Sequence, residues 1–463
     1  MMSHYSLNPK ILREYDIRGV VDKEFGAHDA YLIGRGYGTT VKRAGGNSIV
    51  VGYDGRLTSV ELEKALVQGL QSTGISIIRV GLGPSPMTYF ASFHLQTDAA
   101  IMVTGSHNPA SYNGFKMILF KKSYFGEQIK TLGKLIEKED FESGVGTVKN
   151  YLIEEAYIDY LTRDFKTHYS TAKALKVVWD AGNGATGEII KKLIQKLPGE
   201  HILLNTDIDG TFPAHHPDPV VAENLLQLIE GVKEHKADLG FAFDGDGDRL
   251  GVIDNQGHII WGDQLLILLS HEVLKEYPGS TIIADVKASQ TLFDKIAEMG
   301  GVPLMWRTGH SLIKTKMAET KAPLAGEMSG HIFFADRHFG FDDALYAALR
   351  TLGIISTGEE KLSEWYQRLP HPLNTPEIRL ECSDYDKFSV ISQVQAALKK
   401  AQTPFIDIDG VRVLSPHGWW LLRASNTTEE LVARVEANSV ESLEILREEL
   451  RCHLEKFSIP VPD

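Results

Sequence analysis

Short apolar runs rich in β-branched residues recur along the first two thirds of the chain, and each ends in a polar residue. The three clearest runs cover residues 48–54, 176–180 and 281–285. Such runs are typical of buried strands in parallel sheets, and a helical pattern follows each one. In the first helical segment, leucine recurs every four residues at Leu62, Leu66 and Leu70. The pattern predicts helices over residues 60–72, 186–197 and 291–299, closed by Gly74, Gly199 and Gly300.

A second and a third strand complete each of these units. The second strands are predicted at residues 75–80, 201–205 and 302–306, and the third strands begin at residues 99, 239 and 323. Strand–helix–strand units also look alike by chance, but three in the same order favour a repeat. We therefore predict an α/β fold with three topologically similar domains and mixed sheets. Ligands gather at the carboxyl ends of strands in such sheets, so the loops after the third strands are candidates for one shared site.

The character of the sequence changes beyond Pro370, where Pro370, Pro372 and Pro376 indicate a linker. The tail reads as strand, helix, loop, strand and helix, with the last helix over residues 440–457. This pattern predicts a smaller α+β domain. The predicted domains are residues 1–151, 152–258, 259–370 and 371–463.

Composition narrows the class of protein. The 463 residues carry a net charge of −13, which argues against general affinity for nucleic acid. The two cysteines, Cys382 and Cys452, are too few for a disulfide framework and lack zinc-site spacing. Apolar stretches such as 265–269 are far too short to span a bilayer, and residues 1–18 lack the apolar core of a secretory signal. We expect a cytoplasmic monomer that acts on small molecules.

Three aspartates alternate with glycines directly after the predicted strand at 239–243. Asp244, Asp246 and Asp248 would point to one side and converge, which suits magnesium, manganese or calcium. An EF-hand is excluded, because its sixth position would be Arg249 instead of glycine and its twelfth Asn255 instead of glutamate. The alternative is an Asp-Gly turn at the surface. Perfect alternation after an apolar strand favours the metal site.

The segment Thr104-Gly-Ser-His-Asn-Pro109 follows the predicted strand at 99–103. Ser106 is a candidate nucleophile or phosphoryl acceptor, with Lys116 close in sequence as a cation. The alternative is a turn that caps the next element. No G-x-S-x-G elbow is present, which disfavours an α/β-hydrolase.

Basic and polar loops supply candidate ligand contacts. Arg423 is followed by the small or polar residues Ala-Ser-Asn-Thr, a composition that suits a phosphate but also occurs in ordinary loops. Glu327 and Ser329 could bind neighbouring sugar hydroxyls, and His310 and His331 lie in glycine-rich segments at strand ends. Neither a nucleotide-binding phosphate loop nor a dinucleotide fingerprint appears in the sequence.

Taken in order, these motifs resemble those of the α-D-phosphohexomutase superfamily. The resembling segments are Glu14-Tyr-Asp-Ile-Arg-Gly19, Thr104-Gly-Ser-His-Asn-Pro109, Asp244-Gly-Asp-Gly-Asp-Arg249, Thr308-Gly-His-Ser-Leu-Ile-Lys314, Gly326-Glu-Met-Ser-Gly-His331 and Arg423-Ala-Ser-Asn-Thr427. The resemblance implies four domains in a heart shape around a central cleft. It also implies reversible phosphoryl transfer between the 1- and 6-positions of mannose and glucose phosphates. The alternatives are a phosphoglucosamine mutase and a metal-dependent sugar phosphatase.

The resemblance further implies a role for each matching residue. Ser106 would be a phosphoserine that joins Asp244, Asp246 and Asp248 around one Mg²⁺ per chain, with a hexose 1,6-bisphosphate as activator. The residues implied in proton transfer and charge stabilisation are Arg18, His107, Lys116, Arg249 and His331. The residues implied in binding the sugar phosphate are Tyr15, Lys287, His310, Glu327, Met328, Ser329, Gly330, His331, Arg423, Ala424, Ser425, Asn426 and Thr427.

Overall fold

The computed structural model describes residues 5–383, 386–426 and 428–462, and its first unit is built on a seven-stranded mixed sheet. The strands are β1 (Ile17–Val20), β2 (Ser48–Tyr53), β3 (Ser76–Leu82), β4 (Ala99–Val103), β5 (Tyr112–Leu119), β6 (Lys122–Ser123) and β7 (Val148–Asn150). The helices are α1 (Ala27–Arg43), α2 (Ser59–Gln71), α3 (Ser85–His94) and α4 (Glu127–Glu137). The sheet order is β1-β5-β4-β2-β3-β7, with β6 paired to β5.

The second unit is a five-stranded sheet in the order β12-β11-β10-β8-β9. The strands are β8 (Leu175–Asp180), β9 (Gly199–Leu204), β10 (Leu239–Phe243), β11 (Leu250–Asp254) and β12 (Ile259–Ile260). The helices are α5 (Glu154–His168), α6 (Gly187–Leu193) and α7 (Leu226–His235). Helix α6 is shorter than the segment 186–197 predicted from sequence, because the chain continues as a 3₁₀ turn over Ile194–Lys196 before β9.

The third unit is a four-stranded sheet in the order β14-β13-β15-β16. The strands are β13 (Thr281–Asp285), β14 (Val302–Trp306), β15 (Leu324–Gly326) and β16 (Ile332–Phe334). The helices are α8 (Gly262–Glu276), α9 (Gln290–Glu298), α10 (His310–Thr320), α11 (Ala344–Thr357) and α12 (Leu362–Gln367).

The three sheets share one strand pattern, which confirms the predicted repeat. In each unit the first strand lies between the second and third strands and is parallel to both, and a fourth strand is antiparallel to the third. The third strands are β4, β10 and β15. Their carboxyl ends lead into the loops that carry Ser106, Asp244 and Glu327, so the repeat places all three loops at equivalent sheet edges.

The fourth unit contains more strands than the sequence pattern indicated. The strands are β17 (Leu373–Asn374), β18 (Ile378–Glu381), β19 (Phe405–Ile406), β20 (Val411–Ser415), β21 (Gly418–Ala424) and β22 (Glu430–Ala437), and the helices are α13 (Lys387–Lys400) and α14 (Val440–Leu454). A meander of β20, β21 and β22 stands where a single strand was predicted. Helix α14 ends at Leu454 and not at residue 457, because a 3₁₀ turn follows. The α/β and α+β classes are confirmed.

The apolar cores show how the units join. One core runs through the second and third units, where it includes Trp179, Leu265 and Leu345, and extends into the first unit at Phe90. The fourth unit has a separate core, and a small cluster of Val286, Trp419 and Leu421 links it to the third. None of the described helices is long and apolar enough to cross a bilayer. The domain boundaries predicted after residues 151 and 370 fall between the sheets, whereas the one after residue 258 separates β12 from the rest of its sheet. All three boundaries stay a prediction.

Candidate active site

Three aspartates after β10 converge in a fully buried loop. Asp244, Asp246 and Asp248 have no exposed surface, and one oxygen of each lies within 4.8 Å of the others. Gly247 has a φ of +75°, which lets the backbone curl between them. Burial, together with the two neighbouring carboxylates, raises the pKa of Asp244 well above its usual value. Carboxylates that are buried this close together repel one another, and a bound cation would relieve that repulsion.

The loop after β4 places Ser106 against these aspartates. The Ser106 hydroxyl donates to Asp244 Oδ2 at 3.1 Å, and the residue is buried with a φ of +50°. Arg56 holds this left-handed backbone in place. Its guanidinium donates to the carbonyl oxygens of Ser106, Asn108, Pro109 and Tyr112. Asp54, at the end of β2, accepts from Thr104 Oγ1 at 2.7 Å, so the loop is fixed from both sides.

Two groups of the first unit reach the second and third aspartates. Lys116 Nζ donates to Asp246 Oδ2 at 2.7 Å and also to Asp248. Burial lowers the pKa of Lys116, but the two carboxylates outweigh it and hold that pKa well above the usual value. The Ser85 hydroxyl donates to Asp246 as well. The acidic loop is therefore assembled by contacts between the first two units.

His107 and Arg18 lie beside the serine. His107 Nδ1 is 3.2 Å from Ser106 Oγ. Burial, reinforced by Arg249 and Arg18, lowers the pKa of His107 well below its usual value, so this imidazole is neutral. Arg18 donates to Asn108 Oδ1 at 2.5 Å, which aims it at the serine loop.

His331 connects the aspartates to the third unit. Its Nε2 lies 3.2 Å from Asp248 Oδ1, and its Nδ1 lies 3.0 Å from Glu327 Oε2. Burial lowers the pKa of His331, but these two carboxylates raise it to about 9, so the imidazole is protonated at neutral pH. Arg249 Nε approaches His331 Nε2 at 3.4 Å. The two predicted histidines beside the aspartates therefore differ in charge at neutral pH: His107 is neutral and His331 is protonated.

Hydrogen bonds continue from Glu327 toward the fourth unit. Glu327 Oε1 accepts from the Gly309 amide at 2.6 Å. The Tyr15 ring packs on Gly309, where an added Cβ would lie 2.4 Å from the ring. The Tyr15 hydroxyl donates to the Thr308 carbonyl at 2.7 Å and accepts from Asn426 Nδ2 at 2.6 Å. Three units therefore meet at Tyr15.

The predicted phosphate-docking cations already pair with carboxylates. Arg423 Nε donates to Asp409 Oδ2 at 2.9 Å, and the same oxygen accepts from the Thr308 amide at 3.0 Å. Lys287 Nζ donates to Glu377 Oε1 at 2.5 Å. This lysine holds the pKa of Glu377 at about 2 despite the burial of the carboxyl.

The remaining predicted residues lie close to these contacts. His310 Nδ1 is 3.0 Å from Asp342 Oδ2, and its ring stacks on that of His331 at 5.5 Å. Ser329 Oγ is 3.1 Å from His331 Nδ1. The Met328 amide donates to Asp285, and the Gly330 carbonyl accepts from Leu250. Ala424 ends β21, and Ser425 Oγ accepts from the Thr428 amide at 3.1 Å. Thr427 lies outside the described residues.

Four family models match the chain in the order of its four units. They are described as Phosphoglucomutase/phosphomannomutase, alpha/beta/alpha domains I, II and III and C-terminal domain, and they match residues 9–143, 155–257, 261–373 and 377–452. The chain belongs to the α-D-phosphohexomutase superfamily. The resemblance inferred from the motifs is confirmed.

Similar proteins within this superfamily cover almost the whole chain. A Phosphomannomutase/phosphoglucomutase of Pseudomonas aeruginosa is 45% identical over 99% of this chain and 98% of its own. A Phosphoglucomutase of Neisseria gonorrhoeae is 41% identical over 97% and 98%. The crystal structure of a Phosphoglucomutase/phosphomannomutase family protein from Burkholderia thailandensis has a TM-score of 0.92 at 43% identity, and covers 98% of this chain and 99% of that one.

The residues around the acidic loop suit the metal that the superfamily uses. Asp246 Oδ1 is buried and has no hydrogen-bond partner among the described residues, so this oxygen remains available to a metal ion. Carboxylate oxygens are the ligands of a hard divalent cation such as Mg²⁺. The site therefore fits a metal ion.

Sequence reasoning missed several residues that position the phosphohexomutase motifs. They are Arg56, Ser85, Asp218, Asp342, Glu377 and Asp409. The repeat carried a signal for Ser85, because it follows the second strand of its unit, as Thr308 does in the third unit. The partner carboxylates carried none, since their contacts join segments far apart in the chain.

Proposed function

We propose that this chain interconverts the 1- and 6-phosphates of mannose and of glucose. Ser106 carries the phosphoryl group between sugar positions through a hexose 1,6-bisphosphate. The observation that carries the proposal is the Ser106 hydroxyl, 3.1 Å from Asp244 in a buried group of three carboxylates. The names of the similar proteins support the same activity.

The residues beside Ser106 divide the chemistry by their charge. In the first transfer the bond between phosphorus and Ser106 Oγ breaks, and a bond from phosphorus to the sugar hydroxyl forms. The attacking sugar hydroxyl loses its proton and the departing Ser106 oxygen gains one; neutral His107, 3.2 Å from Ser106 Oγ, is suited to accept the first proton and to return one to the serine. Protonated Lys116, His331 and the Arg18 and Arg249 guanidinium groups stabilise negative charge on the transferring oxygens.

One Mg²⁺ per chain is part of the proposal. Asp244, Asp246 and Asp248 would hold it beside Ser106. When bound, the ion would neutralise charge on the phosphoryl oxygens during transfer. Whether it is Mg²⁺ or another hard divalent ion is decided by metal replacement.

The other phosphate docks at the fourth unit in this proposal. Arg423, Ser425, Asn426 and Thr427 would hold it, with Lys287 and Tyr15 beside them. Glu327 and Ser329 would bind sugar hydroxyls between the two phosphates. Because the reacting and docking sites are separate, the bisphosphate turns round so that either phosphate can face Ser106. A site that binds hydroxyls away from C2 accepts both mannose and glucose.

The test follows phosphorus NMR of the chain with Mg²⁺, a trace of glucose 1,6-bisphosphate and one hexose 1-phosphate. Mannose, glucose and glucosamine 1-phosphates are run in parallel. Formation of the 6-phosphates of mannose and glucose supports the proposal. Conversion of glucosamine 1-phosphate alone makes the chain a phosphoglucosamine mutase. Release of inorganic phosphate without isomerisation makes it a phosphatase.

The activator, cellular location and oligomeric state are tested separately. We propose that the bisphosphate restores phosphoserine lost during turnover, so omitting it should leave a lag that a trace abolishes. The proposed cytoplasmic location agrees with two free cysteines. Sedimentation checks the expected monomer.

A further inference from the structure

The segment between β9 and the turn before α7 contacts Arg56, which holds the serine loop, and Arg249, which follows the aspartates, although none of its residues belongs to the motifs above. We call residues 205–219 the bridging loop. On one side it packs against the first unit, where an added Cβ at Gly210 would lie 2.6 Å from Arg56 Cα. The Phe212 ring lies 5.1 Å from Arg56 Cζ. Arg56 is the side chain that fixes the Ser106 backbone, so the bridging loop supports the serine loop from behind.

The other side of the bridging loop reaches the arginine that follows the aspartates. Asp218 Oδ1 lies 3.5 Å from Arg249 Nη1. The two side chains are only 12% and 13% exposed, so water screens this pair weakly. Arg249 Nε lies 3.4 Å from the protonated imidazole of His331, which repels it, so the Asp218 carboxylate is the group that draws the guanidinium into place.

The bridging loop is itself anchored to the end of β8. Asp180, which ends that strand, accepts from His215 Nε2 and from Asn205 Nδ2, each at 2.9 Å. Asn183 Nδ2 donates to the Asp207 carbonyl at 2.8 Å. The Asp218 carboxylate is oriented in turn by the Val220 amide, which donates to Oδ1 at 3.3 Å. The anchors leave Asp218 in one place relative to Arg249.

We propose that Asp218 is a positioning residue for the transfer: its carboxylate orients Arg249 toward the phosphoryl group, and the His215–Asp180 pair holds Asp218 in place. A flexible arginine beside the serine would meet the transferring oxygens in many orientations, whereas a fixed one stabilises charge without reorganising. This inference rests on the proposed function, because it assigns Arg249 to the phosphoryl group on Ser106.

The test is a double-mutant cycle of Asp218→Asn and Arg249→Gln. Asparagine keeps an oxygen for the Val220 amide and removes the charge, so it isolates the pairing with Arg249. One measurement is the rate at which glucose 1,6-bisphosphate phosphorylates Ser106, followed by intact mass. The other is steady-state turnover of glucose 1-phosphate, which gives kcat and KM. The matched control is Asp207→Asn, which removes the same charge from a side chain that is 94% exposed on the same loop.

We expect Asp218→Asn to lower both the phosphorylation rate and kcat by about 10- to 100-fold, with KM changed by less than about threefold. In the Arg249→Gln background the same substitution should cost about twofold or less, because the group it positions is gone. Asp207→Asn should stay within about twofold of wild type.

Equal losses in both backgrounds, or a fully active Asp218→Asn, overturn the inference. If Asp218→Asn does not fold, His215→Gln takes its place in the same cycle, with the same non-additivity expected. A wild-type chain that phosphorylates Ser106 but does not isomerise hexose phosphates contradicts the proposed function alone. A wild-type chain that does not phosphorylate Ser106 contradicts both.

Discussion

The proposed reacting end around Ser106 and the proposed docking end around Arg423 are built in different ways. The reacting end is acidic and buried: Lys116 and Ser85 of the first unit donate to Asp246 of the second, and Arg56 fixes the serine loop within the first unit. The docking end is basic, and carboxylates pair with its cations: Asp409 with Arg423, and Glu377 with Lys287. Several hydrogen bonds join the fourth unit to the third, and Asn426 donates to Tyr15 of the first unit. The acidic end is therefore held by contacts between the first two units, and the basic end by contacts between the third and the fourth.

The apolar cores behind the two ends also differ. The second and third units share a continuous apolar core, but the fourth meets the third through a small cluster at Trp419. Arg412 stacks on Trp419 at 3.8 Å and donates to the Val286 and Ala288 carbonyls. In the proposed function the bisphosphate turns round, which requires one end to hold still while the other releases its phosphate; the junction with the smaller apolar cluster is the better suited to move.

Removing the nucleophile is the strongest way to break the reacting end. Ser106→Ala should lower kcat by about 1000-fold or more, because no hydroxyl remains to carry the phosphoryl group. Calorimetric titration with glucose 1-phosphate should show binding within about threefold of wild type, since the docking end is intact. Ser111→Ala, an exposed serine on the same segment, is the control. A normal rate for Ser106→Ala would remove the serine from the mechanism.

Removing the docking arginine should change binding more than chemistry. Arg423→Ala should raise KM for glucose 1-phosphate by about 10- to 100-fold, the range for loss of a charged hydrogen bond. The single-turnover rate of Ser106 phosphorylation at saturating bisphosphate should fall by a much smaller factor than the factor by which KM rises. Arg451→Ala, on α14 and paired with Glu448, is the matched control. A larger loss in the single-turnover rate than in KM would place Arg423 at the reacting end.

Ser85 supports one of the three aspartates, so removing its hydroxyl tests how tightly the acidic loop binds a metal ion. Ser85→Ala removes the hydroxyl that donates to Asp246, and should raise the Mg²⁺ concentration for half-maximal activity by about 10-fold. Activity at saturating Mg²⁺ should return close to wild type, because the three carboxylates remain. Loss that excess Mg²⁺ does not restore would show that Ser85 acts on something other than the ion.

The raised pKa of His331 predicts the smallest effect, on stability in protein stripped of divalent metal. The pKa is about 9 in the folded chain and near 6.5 in the unfolded chain, so the protonated imidazole stabilises the fold fully below pH 6.5. That contribution is lost as pH rises through 9. The Tm of wild type should therefore exceed that of His331→Gln by a few degrees at pH 6, and the gap should close by about pH 9.5. His235→Gln, exposed on α7, is the control, and a gap that widens with pH would contradict the assignment.

The parts of the fold that sequence predicted are those where local pattern and tertiary structure agree. Strands β8 and β13 end in aspartate and β2 is followed directly by one, and in the structure each of these aspartates accepts hydrogen bonds from a loop. Asp54 and Asp285 accept hydrogen bonds from the loop after the third strand, and Asp180 from the bridging loop. The repeat therefore indicated both the sheets and the loops that meet.

The parts that sequence missed depend on contacts across units. The meander β20–β22 carries charged residues such as Arg412, Arg434 and Glu436 on buried positions, which hides the strand pattern. Asp409 and Glu377 acquire their roles only when the fourth unit meets the third. No local pattern marks a carboxylate whose partner lies more than a hundred residues away, as Asp409 does for Thr308.

The four hydrogen bonds from Arg56 to backbone carbonyls restrict local opening of the serine loop. An irregular loop normally opens by local unfolding at little cost, because few bonds must break. Here one buried guanidinium satisfies four carbonyls at once, so the loop opens only if all four bonds break or the arginine leaves with it. The amide hydrogens of Thr104, Ser106, Asn108 and Tyr112, which are hydrogen-bonded, should therefore exchange as slowly as those of the neighbouring strands β4 and β5. A serine loop held in this way should resist proteolysis as the neighbouring strands do, and it would keep the proposed phosphoserine away from bulk water.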